Sequence, residues 1–215
     1  MNRVQTSQYL NNFFDNKIIL ITGGCGFIGC NLIRRLLKTT NSKIYNLDKL
    51  TYASDSYGIN DIVKTFKDQE SERYQLLKID LANKDLVNSS IQHIKPDYIF
   101  HLAAESHVDR SIETPEIFLS SNVIGTFNLL EATRSYHSTL SGSKRESFRF
   151  HHISTDEVFG SLGETGYFSE KSPYSPRSPY SASKASSDHF VNAWHHTYAM
   201  PTLITNCSNN YGPYQ

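Results

Sequence analysis

Cysteine is scarce in this sequence: only Cys25, Cys30 and Cys207 occur in 215 residues. None stands in a CxxC pair, so neither a disulfide framework nor a zinc signature follows. A reducing compartment is the expected setting. Long apolar runs are missing too. No stretch approaches the ~18 residues of a membrane span, and the opening MNRVQTSQYLNNFF lacks a signal-peptide apolar region. A soluble, cytoplasmic protein is expected. Charge of one sign is also lacking, since 21 Lys+Arg offset 21 Asp+Glu. That balance excludes a partner held by counterion release, such as bulk nucleic acid, and a polybasic membrane surface. His101, His107, His151, His152, His195 and His196 follow no HExxH or comparable spacing, and neighbouring histidines do not share a helix face. No metal site is expected.

What is present is an alternation of strand and helix. Lys17 to Thr22 is an apolar run that stops at glycines, as in a strand buried on both faces. Phe27 to Lys38 has helical periodicity. Strands are expected at Lys43 to Leu47, Tyr74 to Ile79, Asp97 to Leu102, Phe148 to Ile153 and from Pro201 to Thr205. Helices are expected at Leu81 to Ile94, Pro115 to Tyr136 and Tyr180 to Tyr198. Ser138 to Ser147 reads as a polar surface excursion, and Gly160 to Pro179 as a loop on the active-site side. This order predicts an α/β fold: a Rossmann-type, doubly wound parallel sheet with helices on both faces. Residues 1–16 read as an N-terminal extension, and 17–215 as the nucleotide-binding unit.

Thr22-Gly23-Gly24-Cys25-Gly26-Phe27-Ile28-Gly29 lies between a strand and a helix. Gly23 suits a tight turn, Gly26 a close backbone approach to pyrophosphate, and Gly29 close packing of the helix. Phosphates would lie at the helix N-terminus. Asp48 follows about 20 residues beyond the last glycine, where a carboxylate takes the adenosine ribose hydroxyls and repels a 2′-phosphate. NAD is thus favoured over NADP, although the adjacent Lys49 blurs the distinction. Asp80 suits either an adenine neighbour or a helix N-cap. Cys25 reads either as a thiol activated by the helix N-terminus or as a small filler of the loop.

Tyr180-Ser181-Ala182-Ser183-Lys184 puts a phenol and an ammonium on one helix face. Lys184 is expected to lower the Tyr180 pKa and make it a base for a sugar hydroxyl. Ser154-Thr155-Asp156-Glu157 follows a strand whose end should line the ligand crevice. Its two acids can divide into a protonated acid and an ionised base. The alternative is a solvated turn or helix cap.

The stretches TGGCGFIG, NLDKLTYAS, FHLAAESHVDRSI, NVIGTFNLLEA, HHISTDEVFG, SPYSASKASSDH and TNCSNNYGPY cover nearly all of the chain after Lys17. In them the sequence resembles the extended, sugar-nucleotide-modifying short-chain dehydrogenases/reductases, and within that branch the dTDP-glucose 4,6-dehydratases. TDEVFG separates these from the related epimerases, which usually lack the acid pair. The resemblance implies that Phe27 and Ile28 touch the cofactor phosphates. It places Asp48, Lys49, Leu50 and Thr51 around the adenosine ribose, and Asp80 and Leu81 near the adenine. Leu102, Ala103, Ala104, Glu105 and Ser106 would pass beneath the nicotinamide half, with Ser121 and Asn210 also near the cofactor. Ser106, Thr155 and Asn209 would hold the substrate, dTDP-glucose. Tyr180 with Lys184, Thr155, Asp156 and Glu157 would form the catalytic set.

Departures are few. Ser121 stands where Thr is common, Phe159 where Tyr is usual, and Cys25 and Cys30 replace small residues such as Ala and Ser. The resemblance further implies a homodimer built on the helices from Pro115 and Tyr180. It implies that a smaller substrate domain begins near residue 215, so a non-catalytic NAD-binding fragment stands as an alternative. A 4-epimerase or a dehydratase for another nucleotide sugar are the others.

Overall fold

The structure, a computed structural model, describes residues 13–54, 57–65 and 73–215. Most of the proposed N-terminal extension lies outside them. Its last residues, Phe13 and Phe14, stack on Tyr98, and Asp15 accepts a hydrogen bond from the Asn41 amide.

Six strands form one parallel sheet in the order β3-β2-β1-β4-β5-β6. They are β1 Ile18–Thr22, β2 Lys43–Asp48, β3 Tyr74–Lys78, β4 Tyr98–His101, β5 Arg149–Thr155 and β6 Thr202–Cys207. The continuous apolar run of β1 is explained by its central place. Leu20 packs into one core with Leu47, Ile99, Leu129 and Phe150. Its neighbours Ile19 and Ile21 point to the other face, among Ile33, Leu37, Ile44 and Ile62. Alternate side chains of a strand thus feed two cores, as a sheet covered on both faces requires.

Helices α1 Phe27–Thr39 and α2 Tyr57–Thr65 cover one face. α3 Lys84–Ile94, α6 Gly125–Ser138 and α8 Pro179–Tyr198 cover the other. Short helices α4 Val108–Glu113, α5 Pro115–Phe118 and α7 Gly142–Ser147 complete the set. α2 and α4 were not anticipated from periodicity, and α7 occupies what read as an irregular excursion. It buries no residue, so no apolar pattern marked it.

Two boundaries shift for local reasons. α3 starts at Lys84 rather than Leu81, because the Asn83 side chain caps it by accepting from the Leu86 amide at 3.1 Å. The segment from Pro115 to Tyr136 is not one uniform α-helix. Between α5 and α6 it widens into a π-helical stretch, Leu119–Ile124. Such wide turns are frequent at functional sites, and here Asn122 within it reaches toward the sheet ends.

The sheet order reverses between β1 and β4. In open α/β sheets the crevice beyond the strand C-termini at this switch point binds ligands.

Candidate active site at the strand ends

A cleft of about 540 Å³ opens at that switch point. Its floor is the glycine loop, where the need for glycine is steric. Gly23 has φ +72°, and a Cβ there would lie 2.6 Å from the Ala103 backbone. A Cβ on Gly29 would lie 2.3 Å from the Gly23 carbonyl. Gly26, the N-cap of α1, bears no capping side chain. The first-turn amides of that helix have no partner within it and favour an anion.

Gly23, Gly26, Phe27, Ile28 and Gly29 all line the cleft, as do Asp48, Lys49 and Thr51 from the end of β2. Asp80 and Leu81 after β3, Leu102, Ala103, Ala104 and Ser106 after β4, Ser121, Tyr180 and Lys184 complete the anticipated wall. Seven of the anticipated residues do not line it: Thr155, Asp156 and Glu157, which follow Ser154 at its margin, and Leu50, Glu105, Asn209 and Asn210. Leu50 adopts φ +59°, and its amide donates to Asp48 at 2.8 Å. Glu105 is buried away from the cleft and pairs with Lys49 at 2.8 Å. Asn209 and Asn210 are exposed beyond β6, with Asn210 bonded to the Ser208 carbonyl.

Asp48 is poised by its own surroundings. One oxygen accepts from the Cys25 amide at 2.9 Å, the other from the Leu50 amide and the Ser54 hydroxyl. Lys49 resolves its ambiguity by turning aside. Its ammonium bonds both Glu105 and the Ser121 hydroxyl, the latter at 2.6 Å. Asp80 is not a helix cap: it closes a turn on the Ala82 amide at 2.9 Å and faces the cleft. Cys25 is the loop filler, since burial and the nearby Asp48 push its thiol up to about 12.

At the other end of the cleft, α8 presents Tyr180 and Lys184. Ser178 and Ser181 form a capping box and Pro179 occupies the first turn, so the SPYS sequence specifies where this helix begins. Lys184 donates to the Ile153 carbonyl at 2.9 Å and is fully buried. Burial lowers its pKa to about 8.

The expected lowering of Tyr180 by Lys184 is not found. Burial, then the negative Glu157, push the phenol up to about 12, and only Thr155 pulls it down by a hydrogen bond. The Lys184 ammonium is spent on a backbone carbonyl rather than on the phenol.

Thr155 ends β5, and its hydroxyl accepts from the Glu157 amide at 3.2 Å. It thereby caps the 3-10 turn Asp156–Phe159. The cap reading of the TDE triplet therefore holds for Thr155, while the turn brings Glu157 and Asp156 close enough to act on Tyr180. Burial, then Asp156, raise the Glu157 pKa above its ordinary value.

Three supporting residues were missed. Asn46, inside buried β2, accepts from the Gly24 amide at 2.9 Å and so fixes the loop. Asn122 holds the Glu105 backbone from both sides, at 2.8 and 2.9 Å, and donates to Ser183. Asp188 lies buried beneath Lys184. Asn46 is a polar residue inside a buried strand, the one signal that could have flagged it, whereas Asn122 and Asp188 stand among other polar residues.

A switch-point cleft with a glycine cradle, a ribose-height carboxylate and a Tyr–Lys pair defines a protein of the Rossmann class. More specifically, the GDP-mannose 4,6 dehydratase family model matches residues 20–215, and the chain belongs to that family. It is 49% identical over 197 residues to the dTDP-glucose 4,6-dehydratase of Neisseria meningitidis, covering 91% of this chain and 54% of the relative. The structure is similar to that of DesIV, the dTDP-glucose 4,6-dehydratase of Streptomyces venezuelae crystallised with NAD and TYD. That match has a TM-score of 0.78 and 38% identity, over 92% of this chain and 57% of the other. A UDP-glucose 4-epimerase of Thermus thermophilus, in complex with NAD, follows at 0.75 and 28%, with 92% and 57% covered. The chain thus spans little more than half the length of these relatives.

Proposed function

We propose that the protein dehydrates a nucleoside-diphosphate glucose, specifically dTDP-glucose, to its 4-keto-6-deoxy product with NAD as resident cofactor. The observation that carries this reading is the Thr155–Asp156–Glu157 turn set against the phenol of Tyr180, which itself lines the cleft. A 4-epimerase needs the phenol but not the acid pair.

The residues fit the cofactor. The glycine cradle leaves backbone room that a Cβ would fill, and Asp48 faces the cleft beside a Lys49 that is paired with Glu105. NAD, held by the glycine cradle and Asp48, would supply the hydride acceptor for oxidation at C4 and the hydride for C6 within one turnover. Tyr180 removes the proton of the 4-hydroxyl, with Thr155 steadying that oxygen and Ser106 and Asn209 contacting the sugar. The 4-ketone acidifies C5. Glu157, the acid whose proton affinity is raised, takes the C5 proton, and Asp156 protonates the departing 6-hydroxyl so that water is lost; as the hydride returns to C6, C5 is reprotonated. Asn210 serves near the cofactor.

Residues 17–215 act in this reading as the nucleotide-binding and catalytic unit. A homodimer through the helices from Pro115 and Tyr180 is supported by exposed Leu119 and Ile124, and sedimentation would check it. A cytoplasmic setting is supported by three free thiols. No helix among the described residues is long and apolar enough to cross a membrane.

Purified protein supplied with NAD+ and dTDP-glucose should yield the 4-keto-6-deoxy sugar nucleotide. Bound NAD with an unchanged sugar, or a C4 epimer, would contradict the reading.

A further inference from the structure

Asp188 is an unusual acid. It is fully buried, two helical turns beyond Tyr180 and one beyond Lys184 on α8, and nothing in the proposed chemistry uses it. One carboxylate oxygen accepts from three different chain segments. These are the Ser154 hydroxyl at 2.8 Å, the Tyr174 hydroxyl at 2.9 Å and the Asn206 amide at 3.3 Å. The other oxygen lies 3.1 Å from Nε2 of buried His152. Asn206 extends the connection by donating also to the Thr155 carbonyl at 3.2 Å.

Ser154 precedes the Thr155–Glu157 turn. Tyr174 belongs to the loop between that turn and α8. Asn206 lies at the end of β6. We propose that Asp188 is the positioning residue of this site: its carboxylate holds these three segments against the helix that carries Tyr180 and Lys184, setting the acid pair relative to the phenol. The proposal rests on the reading of those residues as the catalytic set.

The carboxylate also supplies the negative charge facing Lys184 inside the protein. The titratable groups around that ammonium are Asp188 on α8, His101 on β4, His152 on β5 and Cys207 on β6. Burial keeps both histidines neutral near pH 7. Asp188 is held ionised, despite burial, by the adjacent His152 ring, by the hydrogen bond from Ser154 and by Lys184. Breaking a buried charge pair from one side leaves the other charge uncompensated.

The test compares Asp188→Asn and Asn206→Ala with the unaltered protein by two readouts. One is the titration midpoint of the Lys184 ammonium by NMR. The other is amide hydrogen exchange at residues 155–159. In Asp188→Asn the Lys184 midpoint should fall by about one pH unit or more, and exchange at 155–159 should rise roughly tenfold. The titration reads the charge that faces Lys184, and the exchange at 155–159 reads the hold on the acid-pair turn. Asn206→Ala should raise exchange at 155–159 and leave the Lys184 midpoint unchanged. Either readout staying at its wild-type value in folded Asp188→Asn overturns the proposal. Should Asp188→Asn fail to fold, unchanged exchange in Asn206→Ala overturns it alone. Neither readout needs turnover. Protein that shows these shifts and forms no product contradicts the dehydratase reading and leaves the positioning role standing.

Discussion

Tyr180 and Glu157 carry opposite demands on their protons. Burial and the neighbouring Glu157 push the Tyr180 phenol up to about 12, so at neutral pH it holds its proton. Its work as a base requires positive charge brought to it, by Lys184 or by an oxidised nicotinamide. Adding NAD+ should therefore lower the phenolate midpoint, read as the ultraviolet difference between wild type and Tyr180→Phe. In the proposed chemistry Glu157 must be ionised to take the C5 proton, and its pKa is raised by burial and by Asp156. The acid limb of the kcat profile should accordingly lie above the ordinary carboxylate range of ~4.3. Glu157→Gln should block product formation yet still permit reduction of bound NAD, visible as NADH absorbance when substrate is added. Normal turnover in that variant would remove Glu157 from the mechanism. Gly29→Ala tests the cradle instead. Its methyl would meet the Gly23 carbonyl at 2.3 Å, so overpacking of ~1–3 kcal/mol should lower the melting temperature and weaken dinucleotide binding measured by calorimetry.

The π-helical stretch is the element where sequence and structure diverge most usefully. Its Asn122 side chain pairs both backbone groups of Glu105 and reaches Ser183 on α8. Asn122→Ala would strand those buried groups at a cost of ~2–3 kcal/mol, and a urea titration should show the loss. Periodicity alone expected a plain helix from Pro115, because Ile117, Phe118, Leu129 and Leu130 keep an apolar spacing on either side of the wide turn. Strands β1, β2, β4 and β5 were legible because the central ones bury both faces and read as apolar runs bounded by glycine, proline or acid. The site was legible where one residue does one local job: Gly23 turns, Gly29 packs, Asp48 ends its strand. Asn46, Asn122 and Asp188 were not, because their roles depend on partners 22, 17 and 34 residues away. No local pattern records such pairings. The Tyr180–Lys184 spacing put both side chains on one helix face but did not reveal the charge balance between them, which follows from burial and from the Ile153 carbonyl.

Across the whole molecule, the sheet hides two histidines, His101 and His152, at the heart of the fold with ring centroids 5.1 Å apart. Burial depresses both, His152 to about 4. A cationic group with a depressed folded pKa contributes full stability above its unfolded value and loses it as pH falls toward the folded one. Unfolding free energy should therefore decline as pH drops from ~6.5 to ~4, by about 3 kcal/mol from His152 alone. Urea midpoints across that range would check the slope.

The measurement that bears most directly on the proposed chemistry follows one hydrogen. dTDP-glucose carrying deuterium at C4 should give a 4-keto-6-deoxy product with the deuterium at C6, because the hydride leaves and returns within one bound cofactor. Deuterium recovered at C4 of an epimerised sugar, or a product without label at C6, would contradict the account.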